Sequence, residues 1–107
     1  EVDVVIPIEY RVIEADDTWL SMYSGSRRVS ISVHRMFDES HDELFNLVEP
    51  IFWKYEGRPH WGKIHSLGYS ELRALYPKFD EFVELRNELD PEARMLNPHL
   101  RQLFEVD

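Results

Sequence analysis

Only two stretches of this chain read as β-strands, both within the first 36 residues, and nearly everything after residue 40 reads as helix or loop. Residues 2 to 14 are rich in Val, Ile and Tyr, side chains that suit a pleated, half-buried surface. Pro7 has no amide to give to a ladder, so part of this segment belongs at an edge, a bulge or an end. Ser24-Gly25-Ser26 marks a turn into a second strand at about 28 to 36. Strands first and helices later predict an α+β architecture, an antiparallel sheet with packed helices. Two strands cannot bury a sheet face stably by themselves. Further strands are therefore expected from an absent N-terminal part, from another chain, or from segments near residues 20 and 65.

Alternation along the strands sorts their side chains. Glu9 and Arg11 take one face of the first strand, and Ile8, Tyr10 and Val12 the other. In the second, Val29, Ile31, Val33 and Arg35 share a face, while Ser30, Ser32 and His34 form a small polar face suited to lining a cavity. Asp16-Asp17-Thr18-Trp19-Leu20 reads as a connection leaving the sheet. Ser40 is placed to cap a helix over about 41 to 56, in which Leu44, Phe45, Leu47, Val48, Ile51 and Phe52 recur at helical spacing. Pro50 predicts a kink or break inside it, and Gly57 its end. Ser70 is the expected cap of a short helix over Glu71 to Tyr76, without a capping-box partner at Arg73. Pro77 opens the next helix, which carries Phe79, Phe82, Val83, Leu85, Arg86 and Leu89 as far as Asp90-Pro91. A last short element spans Met95 to Phe104.

At 107 residues the chain is one domain or part of one, and 43% hydrophobic residues argue for a folded body. Twelve Lys and Arg against twenty-one Asp and Glu give a net charge of -9, which speaks against a nucleic-acid surface. With no cysteine there is no disulfide framework and no thiolate chemistry, and the compartment stays open. A cytoplasmic location is the default expectation, with a membrane-associated parent left open. No apolar run approaches the roughly 18 residues of a bilayer span. The opening Glu1-Val2-Asp3-Val4-Val5-Ile6 reads like the middle of a strand, as though the chain were a segment of something longer.

Against this acidic background Arg58-Pro59-His60-Trp61-Gly62-Lys63 gathers two cations, an imidazole and an indole between breakers. Such a loop suits an anionic or oxygen-rich group. Gly62 lets the backbone come close to a ligand at which Lys63 points, although a solvated lysine reads equally from the residues. Trp61 reads as a stacking wall for a sugar or as a core tryptophan. Glu9 and Arg11 read as a surface ion pair, or as a carboxylate orienting a guanidinium toward vicinal hydroxyls. His34, on the small-residue face, reads as a substrate contact or as a hydrogen-bonded interior histidine.

The five histidines form no pair with metal-ligand spacing, so no metal is expected. Ser66 and Ser70 lie near His65 without a nucleophile elbow, and there is no Gly-rich phosphate loop. Residue chemistry alone stops at an α+β segment with a polyol or anion pocket. It leaves a non-catalytic carbohydrate-binding or protein-interaction module as the alternative to an enzyme.

The order of short motifs adds a resemblance. Ile8-Glu9-Tyr10-Arg11-Val12, Ala15-Asp16-Asp17-Thr18-Trp19-Leu20-Ser21, Val48-Glu49-Pro50-Ile51-Phe52 leading into His60-Trp61-Gly62-Lys63, then Leu75-Tyr76-Pro77, Leu85 to Pro91 and Leu96-Asn97-Pro98-His99-Leu100 follow one another along the chain. Together they resemble the C-terminal region of the aldonolactone oxidase family, the D-arabinono-1,4-lactone, L-gulono-1,4-lactone and alditol oxidases. These belong to the vanillyl-alcohol-oxidase type of FAD flavoprotein. The resemblance implies that residues 1–107 are the C-terminal part of a sugar-lactone or alditol oxidase, in its substrate (cap) domain. The N-terminal FAD-binding domain would lie outside the chain and be its partner, with a sugar lactone or polyol as substrate. It implies Glu9, Arg11 and Lys63 as catalytic residues, with Arg11 and Lys63 also toward the cofactor, and His34, His60 and Trp61 near the substrate. It further implies that the chain without its partner domain does not retain FAD and is inactive.

Overall fold

The computed structural model describes residues 5–107, so residues 2–4 of the strand expected over 2 to 14 lie outside the described residues. β1 (Glu9–Ile13) and β2 (Arg28–Ser32) pair antiparallel, with Glu9 opposite Ser32, Arg11 opposite Ser30 and Ile13 opposite Arg28. Both are shorter than the composition predicts. In this register His34 would fall opposite Pro7, which has no N–H to offer, so the ladder stops on both strands at one place. The expected further strands do not form among the described residues. The segment near residue 20 gives only an isolated bridge, Asp16 to Ser24, and residue 65 lies in a loop. That bridge holds the neck of a loop, with Gly25 donating to the Asp16 carbonyl at 3.0 Å from the left-handed backbone (φ 84) that glycine adopts without strain.

Four helices follow. α1 (Asp42–Lys54) has Asp42 and Glu43 in its first turn, and Ser40 Oγ accepts the Asp42 amide at 3.3 Å. Pro50 stands inside α1 without breaking it, because its missing amide forfeits one helical bond while the turns on either side hold. The helix ends in a Schellman arrangement, the Gly57 amide reaching Phe52 O at 2.8 Å and the Glu56 amide reaching Trp53 O at 3.0 Å. Its left-handed residue is Glu56 (φ 53), while Gly57 is needed for close approach, since a Cβ there would lie 3.0 Å from Phe52 O. α2 (Tyr69–Leu75) starts earlier than expected. Ser70 is inside it, Gly68 is its N-cap, and Glu71 Oε2 accepts the Gly68 amide at 3.1 Å. α3 (Phe79–Leu89) begins two residues after Pro77, and α4 (Pro98–Leu103) is capped by Asn97, whose Oδ1 takes the Leu100 amide at 2.8 Å. Among the described residues no helix is long and apolar enough to cross a membrane.

The chain divides into two compact units. One takes in the chain to Asp17 with Tyr23–Gly57; the other is Thr18–Met22 with Arg58–Asp107. The second unit holds the main core, in which Leu72, Tyr76, Phe79, Leu103 and Phe104 are buried and Leu20, Trp61 and Phe82 pack against them. Aromatic rings dominate it, with centroids 5.1 Å apart for Trp61 and Tyr76, and 5.7 Å for Phe79 and Phe104. In the first unit Leu44 is the one buried hydrophobic side chain among the described residues. Tyr10, Val12, Val29 and Ile31, all on one face of the β1–β2 sheet, remain 43% to 65% exposed. The fold is therefore α+β, a small antiparallel sheet with packed helices.

Candidate functional site

On the β1–β2 sheet, the face opposite Tyr10 and Ile31 is polar. Glu9 and Arg11 stand on it beside Ser32 and Ser30, their cross-strand partners, as strand alternation requires. An ion pair joins Arg11 Nη2 to Glu9 Oε1, with the Arg11 side chain 62% and the Glu9 side chain 44% exposed. A pair this wet contributes little to folding. Its chemical consequence is orientation: the carboxylate fixes one edge of the guanidinium and leaves the remaining donors for oxygen atoms of a ligand. Arg28 lies on the same face opposite Ile13, and its Nε is buried with no hydrogen-bond partner among the described residues. His34 follows the end of β2, half-buried, and its Nδ1 is likewise without a partner among the described residues.

The loop at 58–63 is held by its own side chains. Arg58, one of its two cations, is anchored, with Nε donating to Leu75 O at 3.0 Å, Nη1 to Ser21 O at 3.3 Å, and its guanidinium 4.8 Å from the Tyr76 ring centre. Trp61 Nε1 donates to Leu20 O at 2.8 Å, and its ring stacks on Phe104 at 6.0 Å and 20°. The indole is thus a wall of the core. The last four residues form a turn in which the Lys63 amide reaches His60 O at 3.0 Å and the Gly62 amide reaches His60 Nδ1 at 3.0 Å. A nitrogen that accepts carries no proton, so His60 holds the turn with its Nδ1 bare. Lys63 emerges exposed, and its ammonium makes no ion pair with another described residue.

Lys63 lines an open recess of about 550 Å³ with Gly62, Ile64, His65, Asn97 and His99. His99 and Asn97 were not singled out by residue chemistry, because they lie more than thirty residues downstream. Their only local signal is Asn97-Pro98, a cap residue followed by proline at the first helical position. The residues proposed from sequence fall into two groups. Glu9, Arg11 and His34 belong to the first unit, where Glu9 and Arg11 touch; His60, Trp61 and Lys63 share one turn of the second. Among the described residues no group of three or more His, Asp or Glu is placed to hold a metal ion.

Comparison with known proteins gives these residues a context. The chain is 38% identical over 101 residues to L-gulono-1,4-lactone dehydrogenase of Mycobacterium tuberculosis, covering 94% of this chain and 24% of that protein. It is 34% identical over 102 residues to L-gulonolactone oxidase of Scyliorhinus torazame (92% of this chain, 23% of that protein). It is 31% identical over 110 residues to alditol oxidase of a Streptomyces species (96% and 26%). The chain thus spans about a quarter of the length of these relatives. The family model for D-arabinono-1,4-lactone oxidase matches residues 1–103, so the sheet bearing Glu9 and Arg11 and the turn bearing Lys63 lie within one match, and the chain belongs to that family of flavoproteins.

Proposed function

We propose that this chain is the C-terminal, substrate-side (cap) segment of an FAD-dependent oxidoreductase that oxidises a CH–OH group of a sugar 1,4-lactone or an alditol. The observation that carries the reading is the oriented Glu9–Arg11 pair on a hydroxyl-bearing sheet face, inside a family match that also takes in Lys63. FAD, when bound, supplies the hydride acceptor for such an oxidation. Arg11 and Lys63 fit the electron-rich edge of a flavin in one respect: both are exposed cations on backbone fixed by ladder or turn hydrogen bonds. The nucleotide end of FAD finds no Gly-rich loop in this sequence, so in this reading its binding falls to an N-terminal FAD-binding domain outside the chain.

Each residue then has a definite task. Arg11 and Lys63 hold sugar oxygens and compensate negative charge that accumulates on the cofactor side. Glu9 fixes Arg11 and accepts a hydrogen bond from a substrate hydroxyl. His34 offers its ring to the same substrate, and His60 and Trp61 shape the turn that carries Lys63.

The test uses the complete polypeptide that carries this chain, assayed for bleaching of the oxidised flavin band with sugar lactones and with alditols. Glu9→Gln, Arg11→Met and Lys63→Ala are each expected to slow bleaching about 100-fold while flavin content stays unchanged. Wild-type rates in all three would overturn the reading. In parallel, the 107-residue chain mixed with FAD is expected to show no stoichiometric binding, and tight binding would refute the division of labour.

A further inference from the structure

We infer that His99 is a positioning residue for Lys63, acting through the carbonyl of Trp61. The inference rests on the reading of Lys63 as a working residue of the site. Three hydrogen bonds hold the backbone of the His60–Lys63 turn. His60 takes two of them, the Lys63 amide on its carbonyl and the Gly62 amide on Nδ1. The third is made by Trp61 O, which faces His99 Nε2 at 3.0 Å. A carbonyl can only accept, so His99 donates from Nε2. Both the neutral Nε2–H tautomer and the imidazolium carry that proton, so the bond survives either state.

The ring of His99 is itself well founded. It is the second residue of α4, whose start is fixed by the Asn97 cap and Pro98 and whose other end buries Leu103 and Phe104 in the core. His65 stands edge-on to it, centroids 6.0 Å apart at 67°. Phe104, which follows α4 directly, stacks on the Trp61 indole. One short segment therefore grips Trp61 twice, at the ring through Phe104 and at the carbonyl through His99. That carbonyl belongs to the Trp61–Gly62 peptide plane, which immediately precedes the Gly62–Lys63 link, and glycine gives the plane little rotational resistance of its own. Losing the His99 bond leaves that plane held on one side alone, by the Gly62 amide on His60 Nδ1, and so loosens the aim of the lysine. His99 is exposed, so water replaces its bond when it is removed and the fold loses little.

Three variants in the complete polypeptide test this. His99→Phe keeps a ring against His65 but has no donor, His99→Gln restores an N–H near the Nε2 position, and Lys63→Ala gives the reference loss. His99→Phe is expected to lower kcat about 10-fold with little change in KM and an unchanged melting midpoint, and His99→Gln to return kcat to within about 3-fold of wild type. In the 107-residue chain, His99→Phe should speed amide exchange at Lys63 about 10-fold, and His99→Gln should not. The inference falls if His99→Phe matches wild type in kcat or in exchange, or if Phe and Gln lose kcat equally, which would assign the effect to ring packing. Should Lys63→Ala be fully active, the proposed function loses its lysine and this inference falls with it. Should His99→Phe melt early, His99→Gln decides: near-wild-type kcat and exchange uphold the role, and a 10-fold loss ends it.

Discussion

Replacing Trp61 separates its place in the core from a place in a ligand wall, and the structure sets the size of the effect. In Trp61→Phe most of the ring contact with Phe104 and Tyr76 persists, while the 2.8 Å bond to Leu20 O disappears and leaves a part-buried carbonyl without its donor. A net hydrogen bond of about 1 kcal/mol plus partial desolvation of its partner gives an expected loss of about 1–2 kcal/mol. Trp61→Ala also removes the ring from a cluster of six aromatic side chains, for which about 3–5 kcal/mol is expected. Against a total near 5–15 kcal/mol, the second variant leaves the unit marginal. At about 4–8 °C per kcal/mol for a domain near 100 residues, Trp61→Phe should lower the melting midpoint roughly 5–15 °C. Thermal melts followed by far-UV circular dichroism report this without relying on the altered fluorophore. If both variants melt with wild type while the complete polypeptide loses affinity for the lactone or alditol of the proposed function, Trp61 is a ligand wall and its core assignment is wrong.

At the end of α1, Glu56→Gly should stabilise the chain by about 0.5–1 kcal/mol in urea titrations, because a non-glycine residue holds the left-handed backbone there (φ 53). Gly57→Ala next to it has the opposite sign, since its Cβ would meet Phe52 O at 3.0 Å. Asp90 accepts the Met95 and Arg94 amides at 2.9 Å each, and these bonds, Met95's first, hold its carboxyl below the usual aspartate range. A folded pKa below the unfolded one means that the unfolded state binds more protons between the two values. The contribution is complete above the unfolded pKa of about 3.9 and is lost as pH falls through the folded one. Acid titration of the urea midpoint should show this fall in the wild type and less of it in Asp90→Asn. Amide exchange should be at least about 100-fold slower at Leu72 and Tyr76 than at Tyr10 and Val12, because burial is concentrated in the second unit; equal protection would contradict that division.

What could be read from the sequence follows the range of the physics involved. Alternation is local, so the shared face of Glu9 and Arg11 was legible from spacing two, and helical periodicity located α1 and α3 to within a few residues. The end of β2 was not legible, because it is set by Pro7 nearly thirty residues upstream through the register. At α2 the local side-chain cap signal is Ser70, whereas the structure uses Glu71 to support a glycine one residue ahead of the helix. Gly57 pointed to the end of α1 but not to the left-handed residue, which is Glu56. The bond from His99 to Trp61 spans 38 residues and has no local signature beyond the cap that places the helix.

These same ranges divide the candidate residues by how firmly each is held. Lys63 leaves a turn whose backbone groups are taken by His60 and His99 and whose tryptophan is fixed in a buried aromatic cluster, all within one unit. The backbone from which it leaves is held before any ligand arrives. Glu9 and Arg11 stand on a ladder of five residues per strand, and the opposite face of that ladder shows Tyr10, Val12, Val29 and Ile31 to solvent. A two-stranded sheet with an open apolar face is marginal in water. The ion pair cannot rescue it, because an exposed pair is worth less than about 1 kcal/mol. Alternation turns the covering of the apolar face into the aim of Arg11: a one-residue slip of β1 would send Glu9 and Arg11 to the wrong side together. A surface that covered Tyr10 and Ile31 would therefore act on the Glu9–Arg11 pair without touching it.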